Sequence, residues 1–218
     1  MRELITTGAI GEVTLLRGSC QGDLLSDGTH LIDSLLFFAG DLEIAWAFAG
    51  IYRREPDPSE ARGAGYHASG GYRYGHAIES GGMGTWEFKT GLRAEIFWGE
   101  LRLPGRKYQD YEVLGTRGRL WRTGDQDPEN LFIQTSGTDG WQPVPVEGDR
   151  RAVLTRNYDL LARNIRSGNG AHPLSGENSF RGFEVLMSLY ESARTRTRIE
   201  LPLTQEQFPL ALMLAGNA

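Results

Sequence analysis

The apolar positions of the chain follow two periods, and the switch between them predicts the order of elements. Residues 9–19 (AIGEVTLLRGS) read as a turn and a strand, with Gly8 and Gly11 as punctuation and Val13, Leu15 and Arg17 alternating with Thr14 and Leu16. Residues 27–39 (DGTHLIDSLLFFA) take the helical period: Ile32, Leu35, Leu36 and Ala39 form one stripe, and Gly40 stands where a helix ends. Residues 42–52 return to an apolar and aromatic strand carrying Ile44, Trp46, Phe48 and Tyr52.

Alternation dominates the middle of the chain. Trp86 and Phe88, then Leu92, Ala94, Ile96 and Trp98, flank the turn at Thr90-Gly91, a hairpin signal. Segments 108–115 and 118–122 predict a second hairpin, and LFIQTS and GWQPVPV add two short strands. The helical period then resumes over 150–166 and again over 177–196, where Ser175 is the predicted N-cap. Strand, helix, strand, a run of antiparallel strands and two helices predict one α+β domain over 1–218, an open and mostly antiparallel sheet with helices on one face. The other face would carry Trp86 and Phe88, or Leu92, Ile96 and Trp98, according to register. A largely apolar second set would want a partner, a homo-dimer or tetramer through the open sheet face; a polar-rich set would simply face water.

Residues 53–75 break both periods. Two prolines, five glycines, Tyr66, His67, Tyr72, Arg73 and Tyr74 predict a long ordered loop rather than a linker. Glycine is abundant throughout, at 29 of 218 residues. A formal charge of −5 speaks against a nucleic-acid partner. No apolar run reaches the ~18 residues that span a bilayer, so no membrane association is expected. The single cysteine, Cys20, and the absence of a signal-like start predict a cytoplasmic protein.

Three segments taken in order resemble the C-terminal domain of the glucose–fructose oxidoreductase, inositol dehydrogenase and rhizopine-catabolism family (Gfo/Idh/MocA). They are TGAIGEVTLLRG at 7–18, LLSDGTHLIDSLLFFAGD at 24–41 and HPLSGENSFRGFEVLMSLYESARTRTRIELP at 172–202; YEVLGTRGRL at 111–120 adds a fourth match. The resemblance implies a fold of the kind seen in C-terminal domains of dihydrodipicolinate and glyceraldehyde-phosphate dehydrogenases. It also implies the substrate-binding part of an NAD(P)-dependent oxidoreductase, acting on a sugar, cyclitol or related polyol by hydride transfer. NAD or NADP is the implied cofactor, yet the N-terminal Rossmann domain has no counterpart in this sequence. The string Gly63-Ala-Gly65-Tyr-His-Ala68 formally matches G-x-G-x-x-A, but the glycine-rich SGGYRYG after it offers no helix to receive a phosphate. The isolated chain is therefore expected to be inactive. The alternative is a stand-alone binding or oligomerisation module derived from the same family.

His30 is the leading catalytic candidate. It opens the helix away from the apolar stripe, and a histidine beside a carboxylate suits proton transfer from a hydroxyl. In the family this histidine is the usual acid/base or substrate-anchoring group. A plain helix-start histidine bonded to backbone is the competing reading. Asp33, one turn on, would orient His30 or satisfy nearby backbone. Asp27 would join the catalysis or cap the helix. Tyr66, His67, Tyr72, Tyr74 and His76 are the candidate substrate-binding rim, able to stack on and hydrogen-bond a polyol, or to pack on the sheet. No metal site is predicted, since His67 and His76 lack a ligand spacing with a mechanical basis, and a metal-dependent lyase or isomerase is the least favoured reading.

Overall fold

The computed structural model describes residues 1–54, 71–73, 76–103, 108–124, 129–146, 150–168 and 173–216. Within them the first strand, β1 (Val13–Cys20), is the axis of a nine-stranded sheet. A short helix, α1 (Arg2–Thr6), precedes it. Helix α2 (Thr29–Ala39), strand β2 (Ile44–Tyr52) and a small ribbon of β3 (Tyr72–Arg73) with β4 (His76–Ala77) follow. Next come β5 (Gly81–Phe88), β6 (Arg93–Gly99), β7 (Gln109–Gly115), β8 (Gly118–Thr123), β9 (Leu131–Thr135) and β10 (Gln142–Pro143). Helices α3 (Arg150–Ser167) and α4 (Gly176–Thr195), strand β11 (Ile199–Glu200) and helix α5 (Pro209–Leu214) close the chain. The strands lie in the order β10-β9-β8-β7-β1-β6-β5-β2-β11. Every pair is antiparallel except β1 with β6. The expected α+β class and open sheet are therefore present.

Cross-strand register sorts the side chains into rows. One buried row runs Ala47, Trp86, Ala94, Leu16, Val113 and Leu120 from β2 across to β8, and helices α2 and α4 cover it. The next row along, on the opposite face, reads Phe48, Thr85, Glu95, Arg17, Glu112, Trp121 and Phe132. The two apolar sets of the β5–β6 hairpin are thus not alternatives. Trp86 pairs with Ala94, Gly84 with Ile96 and Gly82 with Trp98, so both sets face the helices. The far face is mixed: Arg17 reaches both Glu95 and Glu112, while Phe48 and Met83 stay exposed.

Small residues set how closely the helices approach. A Cβ on Gly18 would stand 2.4 Å from Leu31 Cδ1, and one on Gly84 would stand 2.9 Å from Leu189 Cδ2. Leu31 and Leu35 of α2 and Leu189 and Tyr190 of α4 are wholly buried as a result. Helix α3 departs from the expectation that the helices gather on one face. From Arg151 to Ser167 every residue but Asn164 is exposed, including Tyr158 at 71% and Ile165 at 72%. Its Leu154, Tyr158, Leu161 and Ile165 form an apolar stripe at helical spacing. Strands β3 and β4 also revise the reading of 53–75 as a loop throughout, since Tyr72 pairs with Ala77 and Arg73 with His76.

Candidate functional site

The site begins where β1 ends. Gly22 adopts φ 77°, and a Cβ there would meet Asp27 Oδ2 at 1.9 Å, so only glycine lets that carboxylate pass. Asp23 then caps a π-helical turn, Leu24–Gly28: its Oδ1 accepts from Ser26 N at 2.9 Å, while its carbonyl accepts from Asp27 N and Gly28 N at 3.0 and 3.1 Å. Such turns insert one residue into the helical ladder and recur at functional sites. Capping thus falls to Asp23, and Asp27 has a different task. The helical stretch predicted from residue 27 in fact begins earlier, at Leu24, as this π-helical turn, and continues as α2 from Thr29.

Asp27 is buried at the centre of a polar cluster. Arg73 Nη1 donates to Asp27 Oδ2 at 2.5 Å and to Asp23 Oδ2 at 2.9 Å, and the Tyr108 hydroxyl donates to Asp27 Oδ1. Burial opposes the Arg73 charge, but the hydrogen bonds and attraction of Asp27 and Asp23 outweigh it and hold the proton more firmly than usual. Arg73 reaches this point from β3, in the segment that also carries the candidate substrate rim. One guanidinium therefore ties that segment to the turn ahead of His30.

A second buried acid lies behind the first group. Glu79 Oε1 accepts from Leu24 N at 2.6 Å and from Trp98 Nε1 at 2.9 Å, and its Oε2 accepts from the Tyr190 hydroxyl at 3.0 Å. It so joins the π-helical turn, the sheet and α4. Burial pushes the Glu79 carboxyl above the usual carboxylate range despite those donors, with Asp23 adding to the effect. Burial, with Glu79 close by, raises the Tyr190 hydroxyl as well. Cys20 sits beside these acids; burial and the negative charges of Asp27, Asp23 and Glu79 push its thiol far up, which makes it a poor nucleophile.

His30 lies on the solvent side of α2, exposed, and Asp33 is exposed one turn along. Asp33 Oδ1 accepts from Asn178 Nδ2 of α4 at 3.3 Å. Loss of water raises the Asp33 carboxyl, and His30 pulls it the other way. Of the substrate rim, Tyr72 and His76 lie on the β3–β4 ribbon by backbone, while Tyr66, His67 and Tyr74 lie outside the described residues. So does the G-x-G-x-x-A string at 63–68. Asp23, Glu79, Tyr108 and Tyr190 were not anticipated as part of this cluster. Only Asp23 carried a readable signal, a glycine before it and a serine three residues after, the pattern of a cap.

The described residues do not fit a nicotinamide dinucleotide. The fold for that ligand places pyrophosphate at a glycine turn between a strand and the helix that crosses over to a parallel neighbour. Here the parallel pair is β1 with β6, and the helix after β1 has its N-terminus continuous with the π-helical turn. Among the described residues, no group of three or more His, Cys, Asp or Glu side chains could hold a metal ion. Nor is any described helix long and apolar enough to cross a membrane.

Neither a protein-family profile nor a curated protein matches the sequence. Solved structures do match the fold. An NAD binding oxidoreductase from Klebsiella pneumoniae superposes with a TM-score of 0.71 at 16% identity, over 93% of this chain and 62% of its own. The aldose-aldose oxidoreductase from Caulobacter crescentus, complexed with glycerol, gives 0.69 at 17% identity over 92% and 59%. Levoglucosan dehydrogenase in complex with NADH and levoglucosan gives 0.68 at 16% identity over 93% and 62%. The chain thus has a fold found within oxidoreductases, and it spans about three fifths of their length.

Proposed function

We propose that this chain is the substrate-holding part of an NAD(P)-dependent oxidoreductase of the Gfo/Idh/MocA type, acting on a sugar, cyclitol or related polyol by hydride transfer. The supporting observation is the agreement between the sequence resemblance and the fold likeness to oxidoreductases, two of them sugar-converting by name. His30 takes or returns the hydroxyl proton, and Asp33 orients it from the next turn. Asp27, fixed by Arg73 and Tyr108, holds the turn that presents His30. Tyr66, His67, Tyr72, Tyr74 and His76 form the polyol rim. The nucleotide is held by a dinucleotide-binding portion outside this sequence. The open sheet face, with Phe48 and Met83 exposed on it, pairs two copies of the chain.

The purified 218-residue chain is expected to bind NADH and NADPH no tighter than about millimolar, measured by calorimetry. Micromolar binding would overturn the assignment of the nucleotide to another portion. In the complete protein, screened against polyols with NAD and NADP, His30→Ala is expected to lower turnover by about 10²–10⁴. Near-normal turnover in that variant makes His30 structural. Sedimentation at low micromolar concentration is expected to show a dimer or tetramer, and a monomer there removes the pairing.

A further inference from the structure

The register of the π-helical turn ahead of His30 needs a holder. The carbonyl of Asp23 accepts from Asp27 N and from Gly28 N, at 3.0 and 3.1 Å. The first bond closes an α-helical ring and the second a π-helical one, so one oxygen serves both registers. We infer that Glu79 is a positioning residue of the candidate site: by holding Leu24 it fixes that register, and with it the placement of His30 relative to Asp27. The inference deepens the oxidoreductase reading above and rests on it for its effect on turnover.

The far end of the turn is already pinned. Leu31, Ile32 and Leu35 of α2 are wholly buried, so the helix cannot rotate as a body without breaking its packing. His30 stands at the boundary, exposed, as the second residue of α2. Its direction relative to Asp27 is therefore set by how many residues the turn holds, since each residue added or removed rotates the chain by about 100°. The near end, at Leu24, remains to be fixed.

Glu79 fixes it. Its Oε1 accepts from Leu24 N, one of the amides that the first turn of a helix leaves without an internal partner. The same oxygen accepts from Trp98 Nε1 and Oε2 accepts from the Tyr190 hydroxyl, so β6 and α4 hold the carboxylate while it holds the turn. Leu24 passes the constraint on by packing. A Cβ on Gly28 would stand 2.6 Å from Leu24 Cδ1, so the approach of Leu24 to the residue two before His30 depends on glycine there. Arg73 acts on the same turn through the side chains of Asp23 and Asp27, and it comes from β3, shortly ahead of Glu79 in the chain. Arg73 thus holds the carboxylates and Glu79 the backbone. The helical rise is about 1.5 Å per residue. A misplacement of about 1 Å caused far from the chemistry can cost about 10²-fold in rate. A slip of one residue in this turn is therefore large enough to matter at His30.

Hydrogen exchange of the 218-residue chain, followed amide by amide, tests the hold. Glu79→Ala is expected to speed exchange at Asp27 and Gly28 by about tenfold relative to Leu35 and Leu36. Glu79→Gln, which keeps an acceptor for Leu24 N and Trp98 Nε1, restores the protection. Tyr190→Phe, which removes only the donor to Oε2, gives the same local pattern at smaller amplitude and decides the matter where Glu79→Ala does not fold. Leu189→Ala, which loosens α4 over Gly84, should not single out the turn. The His30 imidazole resonance, assigned by its loss in His30→Gln, should move in Glu79→Ala and Tyr190→Phe but not in Leu189→Ala. In the complete protein, on a polyol that the wild type turns over, Glu79→Ala should lower kcat by about 10² and leave KM within about threefold, with Glu79→Gln recovering most of the rate. Exchange that rises equally along turn and helix, or a His30 resonance that stays in place, overturns the inference and leaves the oxidoreductase reading standing. An unchanged kcat in an active complete protein does the same. A wild-type complete protein that turns over no polyol refutes the oxidoreductase reading instead, and the exchange and resonance measurements on the chain alone still decide what Glu79 holds.

Discussion

Arg73 Nη1 lies 2.5 Å from Asp27 Oδ2, and both residues are buried. The same nitrogen reaches Asp23, so a single cation stands between two carboxylates. Removing it leaves two buried negative charges without their cation. Breaking one partner of a buried ion pair costs about 3–5 kcal/mol. Arg73→Met is therefore expected to destabilise the chain by about that amount in urea unfolding. The variant Arg73→Met with Asp23→Asn and Asp27→Asn should recover part of the loss. A single variant as stable as the wild type would show the cluster to be without energetic weight.

Gly22 permits that cluster to form. Gly22→Ala would place a methyl group 1.9 Å from Asp27 Oδ2 at a backbone angle that L-residues rarely adopt. The expected loss is about 1–3 kcal/mol, of the order found for residues held in unfavourable backbone regions. The Tyr108 hydroxyl, which bonds Asp27 Oδ1, loses that partner if the carboxylate moves. Urea unfolding of the wild type and Gly22→Ala reads the loss, and equal stability would contradict the predicted displacement of Asp27.

Glu79 makes stability depend on pH in a defined direction. Its carboxyl is raised above the ordinary 4.5, so the folded state holds a proton that the unfolded state has already released. The stability associated with this proton is fully present below about 4.5 and is lost as pH rises through the folded value. Glu79→Gln keeps an acceptor for Leu24 N and Trp98 Nε1 and cannot ionise. The difference in unfolding free energy, variant minus wild type, should therefore grow as pH rises from 4.5 toward neutrality. A difference that stays flat with pH would show that Glu79 ionises as freely folded as unfolded.

Helix α3 and helix α4 should respond in opposite ways to the same kind of change. Ile165 is 72% exposed, so Ile165→Glu is expected to alter the unfolding free energy of the chain alone by no more than about 0.5 kcal/mol, measured in urea. Leu189 is wholly buried over Gly84, so Leu189→Ala should cost about 2–5 kcal/mol. A large effect at Ile165 would place α3 against the body of the protein.

These contrasts follow what the sequence could and could not convey. The β5–β6 hairpin was legible because alternation and Gly91, at φ 86°, are local signals. Which face Trp86 and Ile96 share was not, because register depends on where the pairing starts. The stripe of α2 was legible as well, but the π-helical turn ahead of it was not, since a 3.6-residue pattern carries no sign of one inserted residue. Arg73 meets Asp23 and Asp27 across separations of 50 and 46 residues, and nothing local announces such a meeting. Helix α5 is too short for its apolar residues to show a helical period, although Pro209 in its first turn is a start signal. For α3 the amphipathic pattern correctly foretold a helix, while its exposure in the folded chain could not be read from that pattern.

The position of β1 has a consequence for how the protein comes into being. It is the first strand of this sequence, yet its neighbours are β6 and β7, whose first residues lie 80 and 96 positions downstream of its own. The two wings of the sheet, β7 to β10 and β6 to β11, join through β1. On a ribosome this segment must wait for its sheet partners until β6, ending at Gly99, and β7, ending at Gly115, have emerged. Its first pairings close long stretches of chain, a demand that makes folding slow. Leu16 and Cys20, sealed in the finished molecule, are the side chains a chaperone would have to shield during that interval.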